Sequence, residues 1–431
     1  MEVKRTLRNG LRIIAVPMRG TEAVTILVLV KTGSKYEEAK ISGVSHFLEH
    51  MFFKGSAKYP TVRKLTEALD LLGAEYNAFT DKEVTGFWVK VAKDNFRPAI
   101  AVVADMLKNP RFPKSEVERE RGVVLEELNL YFDTPARFIG DLWEKVLYGD
   151  QPAGRYVGGT PETVQAITHR DIVEHFERYY RAPAMVVAIA GSLNYEEAFR
   201  TASAHFGNVR GGRTPDHAPV VEEQLRPNLL LKRKATDQTH LAVGFRGVSL
   251  THPMRHAMTV LAAILGGTMS SRLFLLIRDR LGLAYSIHTA ATFDTETGSF
   301  VTIAGVRNAE ARRALDAILA AHRTFLRKGP TVAEVKKAKE AIVGRFVLGL
   351  EETNELAAFI ATQELLLEHI RTPHEEIRSI RRVTPRAVHE AARFLFRHDR
   401  LNLALIGRDT DRPAWYRQLS RAFASRGGHS R

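Results

Sequence analysis

Gly43-Val44-Ser45-His46-Phe47-Leu48-Glu49-His50-Met51 is the stretch from which this chain can be read. Its apolar positions, Phe47, Leu48 and Met51, fall at helical spacing. On a helix, His46 and His50 lie four apart on one face, a turn from each other, so two imidazoles can reach one cation. Glu49 flanks the same face. Its carboxylate can bond a water held by the cation without ligating the cation itself. The order His-x-x-Glu-His reverses the commoner His-Glu-x-x-His. A hydrolytic zinc site needs three protein ligands and one open position, so a third ligand is required from elsewhere.

The chain has no cysteine, which excludes disulfides and thiolate ligands and leaves His, Asp or Glu for any metal. The carboxylate-rich segment Glu116–Leu130 has helical spacing and offers Glu126 and Glu127. Glu120 and Glu127 are seven apart and stack on one face, whereas Glu126 stacks with Arg119. A ligand backed by a further carboxylate favours Glu127, with Glu120 behind it, over Glu126.

The 431 residues exceed one ordinary core, and two domains of about 200 residues each are expected. Hydrophobic residues at 45% and charged residues at 26% suit a folded globular chain. Strands are expected over 11–16, 24–31, 74–80, 84–91 and 184–189. Helices are expected over 45–53, 63–72, 94–107, 114–131, onward to about 181, and 195–205. Gly73 is expected to end the second helix in a left-handed conformation. Residues 211–227, punctuated by Gly211, Gly212, Pro215 and Pro219, read as a linker. The pattern then restarts, with strands at 228–232, 240–245, 284–292, 298–305 and 401–406 and helices between and after them. Pro113-Lys114-Ser115-Glu116-Val117 is matched 218 residues later by Glu334-Val335 behind Gly329-Pro330. The chain therefore reads as a duplicated α+β domain, 1–210 and 228–431.

The formal net charge is +14, but the 63 basic residues are dispersed. Neither an RNP-type aromatic strand nor zinc-finger spacing accompanies them, so a solvated basic surface is expected rather than nucleic-acid binding. The longest apolar run, Ala23 to Val30, is too short to span a bilayer. The first residues carry an acidic side chain and no apolar leader. A soluble cytoplasmic protein is the expectation, without membrane contact.

Three stretches carry a family resemblance. Gly43 to Met51 continues into Phe53-Lys54-Gly55-Ser56. Glu118-Arg119-Glu120-Arg121-Gly122-Val123-Val124-Leu125-Glu126-Glu127-Leu128 is the second. Leu265-Gly266-Gly267-Thr268-Met269-Ser270-Ser271-Arg272-Leu273-Phe274 with Ile277-Arg278-Asp279-Arg280-Leu281-Gly282-Leu283-Ala284-Tyr285-Ser286 is the third. From Leu11 to about Leu405 the chain resembles the pitrilysin and mitochondrial-processing-peptidase family of zinc peptidases, in its bacterial form.

The resemblance implies two homologous domains, each a mostly antiparallel sheet packed with helices, and a closed chamber when two such subunits pair. It implies one Zn2+ per chain, held by His46, His50 and Glu127, with Glu120 as auxiliary carboxylate and Glu49 as general base. Gly73-Ala74-Glu75-Tyr76-Asn77-Ala78-Phe79-Thr80 is similar to the family's substrate-side strand, where a peptide adds to a sheet edge, so Asn77 and Ala78 would bind substrate. Arg278 and Tyr285 match the pair that helps bind substrate and stabilise the transition state, as donors to a developing oxyanion. The second half lacks a His-x-x-Glu-His run, and Arg345 stands where Glu127 does. A peptide substrate and a homodimer, or a heterodimer with a related subunit, are the partners implied. The rival expectation is a non-catalytic structural subunit of the same family, whose members lose metal ligands.

Overall fold

The computed structural model describes residues 3–423. The first half runs β1 (Val3–Thr6), β2 (Arg12–Pro17), β3 (Ala23–Val30), α1 (Val44–Phe52), α2 (Val62–Asp70), β4 (Glu75–Thr80) and β5 (Thr85–Ala92). It continues with α3 (Phe96–Lys108), α4 (Lys114–Phe132), α5 (Pro135–Tyr148), α6 (Pro161–Ala166), α7 (His169–Tyr179), β6 (Met185–Gly191) and α8 (Tyr195–Phe206). The second half runs β7 (Asn228–Arg233), β8 (Gln238–Arg246), α9 (Arg255–Gly266), a π-helical turn over Phe274–Arg280, β9 (Ala284–Phe293) and β10 (Gly298–Arg307). Then follow α10 (Ala311–Lys328), α11 (Val332–Gly349), α12 (Thr353–Leu367), α13 (Pro373–Arg382), α14 (Pro385–Leu395), β11 (Leu401–Gly407) and α15 (Arg412–Ser420).

The strands form two sheets of the same plan. Six strands order as β1-β2-β6-β3-β5-β4 and five as β7-β11-β8-β10-β9. In each, one pair is parallel (β2 with β6, β7 with β11) and the rest are antiparallel. The fold is thus α+β and duplicated, as the 218-residue repeat suggests. Gly73 has φ +59°, with its N–H bonded to Asp70 O and that of Ala74 to Leu69 O, the left-handed stop expected after α2.

The chain divides into two compact units that are not contiguous halves. The first comprises residues up to Leu130, Arg155–Ala218 and Val347–Arg371. The second comprises Tyr131–Gly154, Pro219–Phe346 and the residues from Thr372 onward. This differs from the expected 1–210 and 228–431, although the change between Ala218 and Pro219 falls inside the linker 211–227.

The cause is an exchange of one helix each way. Within the first unit, α12 lies on the sheet. Leu356, Ala357, Ile360, Ala361 and Leu365 pack on Ile14 and Val16 of β2, Leu27 and Leu29 of β3, and Val186 and Ala188 of β6. Within the second, α5 covers its sheet, with Trp143 Nε1 donating to Ser299 Oγ at 3.1 Å and Tyr148 hydroxyl to Gly298 O at 2.9 Å. Thr353 lies 218 residues after Pro135, so the two exchanged helices occupy the same place in the repeat.

Alternation explains why both sheet faces need cover. Strand β3 is buried on both sides, so Leu27 and Leu29 on the α12 face leave Ile26 and Val28 for the other. The second unit's main core lies on the sheet face with Leu241, Val243 and Phe245, against α9, α10 and α14. Among the described residues no helix is long and apolar enough to cross a membrane.

Candidate metal centre

Helix α1 begins abruptly. Gly43 has φ +95° and offers no side-chain cap. The cap comes instead from Glu37, whose Oε2 accepts Gly43 N–H at 2.7 Å and Oε1 accepts Ser45 N–H at 2.8 Å. A carboxylate is favoured there by the exposed N–H groups and the helix dipole. Burial pushes the Glu37 carboxyl up to about 7, against those backbone bonds. Phe47, Leu48, Met51 and Phe52 are fully buried and fix the helix's roll. That roll leaves His46, Glu49 and His50 half-buried on one face.

Helix α4 presents the matching carboxylates. Glu127 Oε2 lies 3.3 Å from His50 Nε2 and 3.7 Å from His46 Nε2. Among the described residues, His46, His50 and Glu127 form the one group of three metal-ligating side chains, with one ligand atom from each all within 4.8 Å. Tetrahedral zinc bonds of about 2.0–2.2 Å place ligand atoms roughly 3.3 Å apart, close to the two distances from Glu127, so the donor set suits that ion. Glu126 is exposed on the same helix and does not join the group.

The electrostatics also suit a cation. Burial, with the neighbouring His50, lowers His46 to about 4, so its imidazole is neutral and keeps a lone pair to donate. Its Nδ1 is buried without a hydrogen-bond partner, so Nε2 is the atom that serves the site. Burial also depresses His50, but hydrogen bonds to Glu120 and Glu127 outweigh it and hold that ring up at about 9. Glu120, itself 5% exposed, places Oε1 2.9 Å from His50 Nδ1, while its other oxygen bonds Lys54. Burial raises the Glu49 carboxyl, against a hydrogen bond from Thr80.

Two glycines set the spacing of the ligand helices. A Cβ on Gly43 would meet the Gly158 carbonyl oxygen at 2.5 Å. One on Gly158 would meet Leu128 of α4 at 2.8 Å and His46 Nδ1 at 3.8 Å. The backbone after Arg155 therefore fits between α1 and α4 only because side chains are absent. Neither Glu37 nor Gly158 carries a signal in the sequence, since a Glu-Glu pair between apolar segments and a Gly-Gly pair are ordinary surface features.

The other expected site residues fall in two places. Asn77 and Ala78 lie on β4, whose only neighbour in the sheet among the described residues is β5. Asn77 is exposed, and its Oδ1 accepts Ala78 N–H at 2.9 Å. Arg278 and Tyr285 lie in the second unit and meet each other there. The Arg278 guanidinium sits 4.8 Å from the Phe274 ring centre and 5.5 Å from that of Tyr285, which is 77% exposed. Arg345, on α11, bonds only its own helix at Ala341 O among the contacts seen.

Residues 12–160 match the family profile described as Insulinase (Peptidase family M16), and residues 166–342 match the one described as Peptidase M16 inactive domain. An uncharacterized zinc protease of Bacillus subtilis, YmxG, is 33% identical over 415 residues, covering 96% of this chain and 100% of the relative. The chain belongs to peptidase family M16. A second M16 relative, the uncharacterized zinc protease ML0855 of Mycobacterium leprae, is 33% identical over 422 residues, covering 96% of this chain and 94% of its own.

Solved structures agree on the M16 fold. A protease from Helicobacter pylori superposes with a TM-score of 0.89 at 22% identity, over 94% of this chain and 99% of that one. A Pseudomonas fluorescens protein described as a peptidase M16 inactive domain gives 0.87 at 19%, over 95% and 98%. His46, His50 and Glu127 all fall within the first matched region, and none in the region whose profile is called inactive.

Proposed function

We propose that this M16 protein is a zinc-dependent endopeptidase that cuts peptides or unfolded segments held as an extended strand. The observation that carries the reading is the convergence of Glu127, from α4, on the face of α1 that carries His46, Glu49 and His50. Zinc, when bound, supplies Lewis acidity that polarises the scissile carbonyl and brings water's ionisation towards neutral pH. His46, His50 and Glu127 would hold it, and Glu120 would keep the His50 ring turned for that task. Glu49 accepts the proton of the attacking water and passes it to the leaving amine.

The open side of β4 supports strand addition, with main-chain bonds giving affinity and Asn77 and Ala78 lying alongside the peptide. Arg278 and Tyr285 would donate to the oxyanion as it develops, a role that the exposed phenol and the stacked guanidinium suit. Pairing with a second copy or a related subunit belongs to the proposal on family resemblance alone.

The test measures metal content and peptide hydrolysis after adventitious metal has been stripped and zinc restored. Wild type should hold one zinc per chain and lose cleavage to a chelator. His50→Ala should lose both, and Glu49→Gln should keep zinc and lose hydrolysis. A wild type without zinc would overturn the reading in favour of a non-catalytic relative. Near-normal turnover in Glu49→Gln would remove Glu49 from the role of base.

A further inference from the structure

Thr80 is the last residue of β4, and its hydroxyl donates to Glu49 Oε2 at 2.5 Å. That is the length of a charge-assisted O–H···O bond. The backbone holds Thr80 firmly: it pairs with Thr85, which is fully buried and bonds Thr32 O at 3.0 Å. At the other end of the strand, Tyr76 stacks on Phe53, just beyond α1, with ring centres 6.3 Å apart. Strand alternation puts Tyr76, Ala78 and Thr80 on one face, the half-buried one. Helix α1 and strand β4 are thus fastened at two points, one aromatic and one polar. The polar point is the carboxylate beside the metal ligands.

One oxygen of Glu49 is committed to Thr80, which leaves Oε1 for a proton in transit. A desolvated carboxylate with no fixed donor would be free to turn its torsions. Strand β4 is also the sheet's outermost strand on this side.

We infer that Thr80 is a positioning residue, which fixes the Glu49 carboxylate and ties it to the strand on which a peptide pairs. Its chemistry rests on the peptidase reading, while the contact is a property of the metal-free protein and can be tested without turnover.

The first arm is a double-mutant cycle of thermal unfolding on metal-free protein, with Thr80→Val, Glu49→Ala and the pair. Thr80→Val should lower the midpoint when Glu49 is present and do markedly less when it is Ala. Equal shifts in both backgrounds would overturn the inference. The second arm uses the zinc-loaded protein and a quenched fluorescent peptide. Thr80→Val should lower kcat about 10- to 100-fold, the worth of one hydrogen bond to a charged group, with zinc content and KM nearly unchanged. Thr80→Ser, which keeps the hydroxyl, should restore most of the loss. Unchanged kcat, loss of zinc, or no rescue by Ser would each overturn it. Should wild type bind no zinc or cut nothing, the peptidase reading fails and the unfolding cycle alone decides Thr80.

Discussion

His50 Nδ1 and Glu120 Oε1 are 2.9 Å apart, while the ring's other nitrogen lies 3.3 Å from Glu127. One imidazole is held between two carboxylates of one helix, a heptad apart, so its orientation is fixed before any ligand arrives. Substituting the outer carboxylate should loosen the ring without removing a ligand. Glu120→Gln is expected to weaken zinc about 10- to 100-fold, measured by competition with a chelating dye. Unaltered affinity would mean that packing alone orients His50.

The proton on His50 competes with metal. With this ring held up at about 9 in the metal-free protein, binding must expel a proton at neutral pH. Zinc affinity should therefore rise about tenfold per pH unit from neutrality and level off above pH of about 9. Calorimetry in buffers of different ionisation enthalpy should register the released proton. The same raised value stabilises the metal-free fold fully below 6.5, a benefit lost as pH climbs through about 9. An affinity flat in pH would contradict this.

Gly43→Ala places a methyl against the Gly158 carbonyl at a left-handed φ. The backbone conformation alone costs about 1–3 kcal/mol, and the collision adds to it. Chemical denaturation should show at least that loss, together with weaker zinc binding as α1 and α4 separate. A change below about 0.5 kcal/mol, the size of an ordinary surface substitution, would show that the loop yields freely.

In the second unit, Arg272 donates to both oxygens of Glu334, at 2.6 and 2.8 Å. That guanidinium holds the Glu334 carboxyl down at about 2, below its usual 4.5. A depressed carboxylate adds stability above the unfolded value and loses it as pH falls through the folded one. The stability gap between wild type and Glu334→Gln should be full above pH 4.5 and shrink towards pH of about 2. Denaturation at pH 6 and near pH 2.5 compares the two limits, and a gap unchanged by pH would refute the assignment.

Ile360, 1% exposed, belongs to the second half of the chain but to the core of the unit that carries His46, His50 and Glu127. Ile360→Ala should cost about 2–5 kcal/mol, as for other buried aliphatic truncations. Its signature should be earlier loss of zinc on heating. If zinc retention tracked wild type, α12 would not be part of that unit's cooperative core.

The sequence was legible where periodicity and chemistry coincide. Histidines four apart beside buried Phe47 and Leu48 define a helix face, and the apolar run of β3 and the partial alternation of β5 mark strands to within two residues. Strand β1 carries Lys4, Arg5 and Thr6, all exposed, and shows no apolar alternation to delimit it. The exchange of α5 and α12 was not legible, because an apolar face shows that something covers it and not which half supplies the cover. Thr80 and Glu37 were hidden for another reason. Their roles depend on where a single hydroxyl and a single carboxylate come to rest, which spacing along the chain does not encode.

Because α12 closes the unit with His46, His50 and Glu127, synthesis order matters. Ile14, Leu27, Leu29 and Val186 leave the ribosome long before residues 356–365, which shield them. Through the translation of some 170 further residues, that face of the first sheet has no native partner. The nascent chain is then exposed to misassociation for many seconds at ordinary elongation rates, and is a candidate for chaperone capture. Cutting the gene at the linker would make that condition permanent: the fragment with His46, His50 and Glu127 would lack the helix that completes its core.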